Sequence, residues 1–472
     1  MPTDSTRCVA IVGAGFSGTI TAVNLLRHAH REPLRILLID RDRHARGTAY
    51  SAQSAPHLLN VPAGRMSAVS CEPLDFLRFA QKTVPAATAE DFLPRSLYGD
   101  YLEELLSAAQ RGAPAHVRLE RVRATVRSVN LWRPRNTFIL GFQNGHEVMA
   151  TEVVLALGNP PPAKLSGCNE LRESACVVED PWHASETLAR DKTVLVVGTG
   201  LTMADIVVSA TQEGRGPSQV HAISRHGLVP PRQTAFRHSH SEFDAVPLLR
   251  AAAVSVRQLF RQVRRICREA ERTGGDWREA ITFVRTLAPR LWSKLPVRER
   301  RRFLRHARVY WDMHRHRLPP RTYSAINELR EAGRLTVHAG QILQMVPAGE
   351  QVRVTWRPRG QTGTSELLVD RVVNCTGPDH QCRSSRDPLI RHLIANGLIQ
   401  PDALGIGLRT SPAHGVLNLF GTATAGLYYI GPMLRADHWE ATAVQELRDH
   451  AEDLAQQLAL PTQSRAVAGK AL

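Results

Sequence analysis

No apolar run in the chain is long enough to cross a bilayer. The nearest approach, Val194 to Ala210, is broken by Gly198, Gly200 and Asp205, so a membrane-spanning protein is not expected. Met1 to Arg7 are polar and lead straight into a strand-like run. With no charged n-region and apolar h-region, no secretory signal is expected, and the reading is a cytoplasmic protein. Cysteine is sparse, with seven residues and none at C-x-x-C spacing. That fits a reduced compartment and argues against a dithiol/disulfide reductase, whose chemistry needs two neighbouring thiols. No metal site is expected. Lysine is almost missing: five residues, so nearly all of the 60 basic side chains are arginine. From Arg250 to Arg321 there are 20 Arg and Lys against 6 Asp and Glu, so one segment carries most of the net charge of +16. The plain reading of such a run is a solvated helical face. What is present is ordinary for a globular protein, 43% hydrophobic and 22% charged, and 472 residues suggest two or three domains.

The first informative stretch is Val9-Ala10-Ile11-Val12-Gly13-Ala14-Gly15-Phe16-Ser17-Gly18. Four apolar residues read as a buried parallel strand, and the three glycines follow at G-x-G-x-x-G spacing. Gly13 permits a tight turn, Gly15 lets backbone approach a pyrophosphate, and Gly18 lets the next helix pack against the sheet. Ile20, Val23, Leu25 and Leu26 continue a helix to His28, whose free N–H groups would face two phosphates. A second strand, Ile36 to Ile39, ends on Asp40, placed to accept hydrogen bonds from a ribose 2′-hydroxyl. An acid there repels a 2′-phosphate, so the site suits FAD or NAD better than NADP. The unit closes at Glu152 to Leu157, a buried strand running into Gly158 and Pro160.

The pattern recurs. Thr193 to Val197 reads as a strand, Gly198 and Gly200 as its turn, and Met203 holds the third glycine position. Val220 to Ile223 is the next strand, and it ends at Ser224-Arg225. A cation in place of the acid suits a 2′-phosphate, so NADPH is favoured here, with NADH left open. Residues 235 to about 325 read as Arg-rich helices, an insertion whose aromatics Phe283, Trp292, Phe303, Tyr310 and Trp311 sit at core-like spacing. Asp370 to Gly377 repeats the strand-then-glycine pattern of Gly158, and Ile430-Gly431-Pro432 precedes a helix expected over Trp439 to Leu458. The fold class expected is α/β with two Rossmann-like dinucleotide-binding domains and a helical Arg-rich insertion in the second. The expected division is 1–165 for the first part of an FAD domain, 190–365 for an NAD(P) domain with its insertion at about 235–325, 366–460 for the return to the FAD domain, and a disordered tail at 461–472.

Several strings resemble one bacterial family of FAD/NAD(P)-binding proteins within the flavoproteins that carry two dinucleotide-binding domains. They include Leu58-Leu59-Asn60-Val61-Pro62-Ala63-Gly64-Arg65-Met66-Ser67, Arg95-x-x-Tyr98-Gly99-x-Tyr101-Leu102, Asp180-Pro181-Trp182, Gly198-Thr199-Gly200-Leu201-Thr202-Met203-x-Asp205, and Gly431-Pro432 with Trp439-Glu440. One member type is the FAD-dependent urate hydroxylase. The resemblance implies an NAD(P)H-consuming flavin monooxygenase acting through a C4a-hydroperoxide, with O2 as co-substrate and urate, or another anionic heterocycle, hydroxylated to a product such as 5-hydroxyisourate. N-hydroxylation of an amine such as ornithine, and a reductase without oxygen insertion, are the alternatives; a nucleic-acid-binding protein is the remote one. By family position Asn60, Arg65 and the Gly431-Pro432 turn should lie near the flavin. Gly13, Gly15, Gly18, Asp40 and Gly158 belong with FAD, Gly198, Gly200 and Arg225 with the second nucleotide, and Gly377, in the segment expected to return to the FAD domain, is a further cofactor-binding candidate. Arg65, Tyr98 and Arg435, with Arg95 beside them, are the candidates for the catalytic and substrate-holding set. His57 reads either as a proton donor or as a loop residue. The oligomeric state is left open.

Overall fold

The computed structural model describes residues 6–29, 32–42, 45–51, 57–167, 171, 174–184, 188, 190–212, 216–234 and 243–460. The expected disordered tail at 461–472 lies outside them. The chain divides into two compact units: Met1–Gln53, Pro62–Pro160 and His380–Leu472 form the first, Ser54–Val61 and Pro161–Asp379 the second.

The first unit opens with β1 (Arg7–Val12), α1 (Phe16–His28) and β2 (Leu34–Asp40). There follow α2 (Gly47–Tyr50), α3 (Asp75–Thr83), α4 (Arg95–Gly112), β3 (Val117–Arg123), β4 (Val126–Trp132), β5 (Thr137–Phe142), β6 (Glu147–Ala150) and β7 (Glu152–Leu155). In the second unit come β8 (Val177–Val178), β9 (Thr193–Val197), α5 (Leu201–Ala210), β10 (Gln219–Ser224), then six helices: α6 (Val246–Val254), α7 (Val256–Arg272), α8 (Trp277–Lys294), α9 (Val297–Arg302), α10 (Arg308–Arg315) and α11 (Pro320–Glu331). The strands β11 (Leu335–Ala348), β12 (Gln351–Pro358), β13 (Ser365–Val369) and β14 (Arg371–Asn374) complete it. The chain returns to the first unit for α12 (Pro388–Ala395), β15 (Gly415–Leu417), β16 (Ala423–Tyr429) and α13 (Val444–Ala459).

Each unit is built on a Rossmann-like sheet with its first nucleotide-type strand inside. The first has the order β15-β16-β7-β1-β2-β3, parallel throughout except for the β15–β16 hairpin. The second runs β13-β12-β11-β10-β9-β14-β8, with β11, β12 and β13 antiparallel at one edge. β1 from Cys8 and β7 from Val153 are buried apolar runs, as the inner strands of a parallel sheet covered on both faces require. β5 alternates instead, with Phe138, Leu140 and Phe142 buried, and it sits in the three-stranded antiparallel sheet β4-β5-β6. In both main sheets the chain leaves the central strand to opposite sides: β1 lies between β2 and β7, and β9 between β10 and β14. Such switch points open a crevice at the strands' carboxyl ends.

The return to the first unit begins at His380 and not at 366. β14 pairs in parallel with β9, Val372 opposite Leu195 and Val373 opposite Val196, so residues 366–379 finish the second sheet. The Arg-rich insertion is helical. On α7 only Val256, Leu259 and Ala270 are buried, while Arg257, Arg261, Arg264, Arg265 and Arg268 are exposed. Its aromatics pack: Trp292 and Phe303 are buried with ring centroids 5.9 Å apart, and Phe303 stacks on Phe260 at 6.5 Å. Tyr310, on α10, is the exposed one, its ring edge-on to that of His226 at 5.8 Å.

Candidate functional site

At the first glycine turn, Gly13 takes φ +108°, and its N–H donates to the Ile39 carbonyl at 2.8 Å. A Cβ there would sit 2.2 Å from the Ala156 carbonyl oxygen, just beyond β7. One on Gly18 would lie 1.9 Å from the Gly13 carbonyl oxygen. The fold itself demands both glycines. Gly15 differs: within 4 Å its Cβ would meet only Gly47 Cα, at 3.7 Å. Gly15 is also the N-cap of α1, with no side-chain cap and no acid in the first turn. The leading amides of this helix have no side-chain cap and no side chain packed against Gly15, the arrangement that suits an anion.

Asp40 is half-buried at the end of β2. Its Oδ2 accepts from the Ala14 N–H at 2.6 Å, and its Oδ1 from the Asp42 N–H at 3.2 Å. An ionised carboxylate has about four acceptor positions, so two backbone bonds leave capacity for a ribose diol. Beside the turn lies a recess lined by Ala14, Leu38, Asp42, Ala45, Leu106, Arg121 and Val122. Gly158, at φ +69°, has open space where a Cβ would go.

Sequence reasoning missed Arg46 and Gly47. Gly47, at φ +58°, passes so close to Gly15 that a Cβ would fall 2.8 Å from its Cα. The buried Arg46 anchors this crossing to α4: its guanidinium pairs with Asp100 and, at 3.0 Å, Glu103, and donates to the Ser96 carbonyl at 3.3 Å. Two acids spaced three apart on α4, and an Arg-Gly after β2, were the available signal.

The catalytic candidates sit on separate elements. Arg65 is exposed in the single turn Ala63–Arg65, and its guanidinium has no partner among the described residues. Tyr98 is fully buried, its ring within 4.8 to 6.3 Å of those of Tyr50, Phe76, Tyr101 and Phe16. Burial pushes its pKa well above that of a free tyrosine, and its hydroxyl lacks a hydrogen-bond partner among the described residues. Tyr98 thus packs the base of α1. Neighbouring Tyr101 is fully bonded, donating to Asp75 at 2.7 Å and accepting from the Ala68 N–H at 3.1 Å. Arg435 is buried in the turn Pro432–Ala436 with its guanidinium over the Trp439 ring at 4.4 Å. Gly431, at φ +146°, opens that turn, where a Cβ would press on Tyr429 Oη at 2.7 Å, and Pro432 follows at its first position. The long helix starts at Val444, five residues later than expected from Trp439, because 437–443 form turns, with the Ala441 N–H donating to His438 O at 2.9 Å and the Thr442 N–H to Glu440 O at 2.6 Å. Arg95 is half-buried as the first residue of α4. In the second unit Asn60 is half-buried, and His57 packs edge-on against Trp182, with centroids 5.8 Å apart.

At the second turn, Gly198 takes φ +116°, its N–H donates to Ile223 O at 2.8 Å, and a Cβ would lie 2.2 Å from Cys375 O. Gly200 is the uncapped N-cap of α5, with nothing within 4 Å of a Cβ. Met203 is fully buried with Val194, Val196 and Ala222. The Thr199 hydroxyl lies 2.5 Å from Leu228 O and 2.9 Å from Ser224 Oγ, which accepts from the Gly227 N–H at 3.0 Å. Arg225 is exposed, with no partner among the described residues. Next to it, half-buried His226 has a lowered pKa, first through burial and then through the charges of Arg359 and Arg225. The turn after β12 therefore contributes a second cation, Arg359, that the sequence did not single out. Gly377, at φ +85°, has open space at its Cβ position, matching Gly158.

Residues 10–160 match a family model described as FAD-NAD(P)-binding. No curated protein matches the chain. Among solved structures it is similar to the ornithine hydroxylase of Pseudomonas aeruginosa, with 14% identity, a TM-score of 0.61, and coverage of 96% of this chain and 99% of that one. The L-lysine 6-monooxygenase of Pseudomonas syringae gives 14%, 0.62, 97% and 100%. The thioredoxin reductase of T. acidophilum gives 13%, 0.52, 97% and 99%. At these identities the likeness is one of fold.

Proposed function

We propose that the chain is a flavoprotein monooxygenase that holds FAD on the Gly13–Gly18 turn and NADPH on the Gly198–Met203 turn. One observation carries the reading. In each unit the first glycine is closed against a crossing strand, while the second starts an uncapped helix with no side chain against it: a Cβ on Gly15 would meet only Gly47 Cα within 4 Å, and one on Gly200 nothing. That is the cradle a dinucleotide pyrophosphate needs. The match of residues 10–160 to the FAD-NAD(P)-binding model supports the first site.

The strand ends divide the two cofactors. Asp40 has acceptor capacity for a ribose diol and would repel a phosphate ester. Arg225 and Arg359 offer two cations beside the second turn, suited to a 2′-phosphate. Bound FAD would supply the electron transfer and oxygen chemistry. The chain's own part is to bind and orient: Asp40 fixes the first turn through Ala14, and Arg46 holds Gly47 over Gly15.

For the substrate, N-hydroxylation of a primary amine is the leading reading, supported by fold neighbours that act on ornithine and lysine. Urate hydroxylation is second, favoured by the resemblance of the Leu58–Ser67 and Gly198–Asp205 strings. A reductase is disfavoured by the lack of any C-x-x-C. The test is NADPH oxidation by the FAD-loaded protein under air, with ornithine, lysine, cadaverine or urate added, and product identification by mass spectrometry. An amine-dependent increase with a hydroxylamine product supports the leading reading. A urate-dependent increase selects the second. Oxidation with no oxygenated product from any of them overturns the monooxygenase.

A further inference from the structure

Outside both glycine turns, three histidines and one carboxylate converge from three segments of the first unit. His414 sits in the turn before β15, His438 in the segment between Pro432–Ala436 and α13, and His450 with Asp453 on α13 itself. His450 and Asp453 are three residues apart on a helix and so share a face. The ligand atoms of His414, His450 and Asp453 all lie within 4.8 Å of one another. The His438 ring centroid is 4.8 Å from that of His450, and the His414 centroid is 5.2 Å from it.

We propose that His414, His450 and Asp453, with His438 at hand as a fourth donor, form a binding site for a divalent transition-metal cation of the zinc class. The backbone is built to present the first of these side chains. His414 takes φ +59°, and Asn136 is the only other described non-glycine residue at positive φ. Such a conformation persists when its surroundings over-determine it. Here the His414 N–H donates to Ser411 O at 3.0 Å and its carbonyl accepts from the Tyr429 N–H at 3.0 Å, and the side chain is buried. The three rings make no side-chain hydrogen bonds among the described residues. Imidazoles withdrawn from water usually find a partner, and a cation would use their lone pairs.

The protonation states agree with that geometry. Burial, with the neighbouring histidines, lowers the pKa of His414 to about 4 and that of His450 to about 3, and burial lowers that of His438. His414 and His450 are therefore neutral near pH 7, which is the ligating form. The Asp453 carboxyl, though exposed, is partly desolvated and stands near Asp449 and Glu452, which raise its pKa, an unfavourable charge that a cation would offset. Imidazole nitrogen with one carboxylate suits zinc and its neighbours better than magnesium or calcium, which prefer all-oxygen sites. Tetrahedral zinc with bonds of about 2.0–2.1 Å brings donor atoms to roughly 3.4 Å apart, so side-chain rotation must close the site by about 1 Å. The ion would tie α13 to the turn that leads into β15.

The test uses the full-length, tag-free, FAD-loaded protein with its cysteines alkylated, equilibrated with Zn2+ in a chelator-buffered series. Retained metal is counted by mass spectrometry. The expected result is one zinc per chain, with affinity at least tenfold weaker in both His450→Gln and Asp453→Asn, and a zinc-dependent rise in melting temperature lost in both. Asp453 is exposed, so its variant keeps the test valid should His450→Gln unfold. Zinc retention by Asp453→Asn equal to that of the unaltered chain, or no retention by the unaltered chain above that of the variant, overturns the site.

Discussion

The two glycine turns share a backbone solution and part company in the side chains around it. In each, the first glycine has φ above +100°, its N–H donates at 2.8 Å to the isoleucine carbonyl near the end of the next strand, and a Cβ would lie 2.2 Å from a carbonyl beyond the crossing strand. Ala156 and Cys375 play the same part in different sheets. The differences are chemical. Asp40 grips its turn through a backbone amide, whereas in the second unit Thr199 and Ser224 lie within hydrogen-bonding distance of each other and Arg225 is exposed, with no partner among the described residues. The third position differs too: no side chain fits at Gly18, while Met203 fills the core beneath α5. Packing dictates the turn, and two or three residues at the strand end set what it binds.

The hardest way to break the shared part is to add a methyl group where a carbonyl already stands. Gly13→Ala and Gly198→Ala should each cost about 3 kcal/mol or more through overpacking and a left-handed backbone. Denaturant unfolding with flavin and NADPH binding measures this, and each variant should lose its own nucleotide. Next comes Met203→Ala. A buried methionine truncated in a packed core costs about 2–5 kcal/mol. Gly18→Met, its mirror exchange, should give no folded flavoprotein, which circular dichroism and flavin content would show.

Smaller effects sharpen the chemical difference. Gly200→Ala should shift stability by less than about 0.5 kcal/mol, since nothing stands near its Cβ, yet raise the KM for NADPH at least tenfold by intruding on the phosphate approach. Arg225→Ser should raise the KM for NADPH about tenfold, the loss of about 1.4 kcal/mol of charge-assisted hydrogen bonding, and leave that for NADH nearly unchanged. Equal effects on both nucleotides would remove the assignment of Arg225 to a 2′-phosphate.

Strand, glycine turn, helix, strand and terminal acid or cation were all legible because each has a local periodic signature. The identity of the sheet that a strand joins was not. Residues 366–379 carry the same strand-then-glycine pattern as Glu152 to Gly158, since both cross beside a glycine turn, and the pattern is blind to which turn that is. The candidate side chains suffered from a different blindness. Tyr98 owes its burial to Phe16, Tyr50, Phe76 and Tyr101, drawn from four elements, and Arg435, in the turn Pro432–Ala436, is covered by Trp439 beyond it. The histidine cluster has ligands as far apart as His414 and Asp453, with no metal-binding spacing to announce it.

The central claim is that one chain carries two nucleotide sites of opposite preference. Anaerobic titration of the FAD-loaded protein with NADPH, followed at the flavin absorption band, tests it most directly. One FAD per chain, bleached by an equivalent of NADPH and far less readily so in Arg225→Ser, is the predicted result. A chain that takes up no FAD, or a flavin that NADPH leaves oxidised, would contradict it.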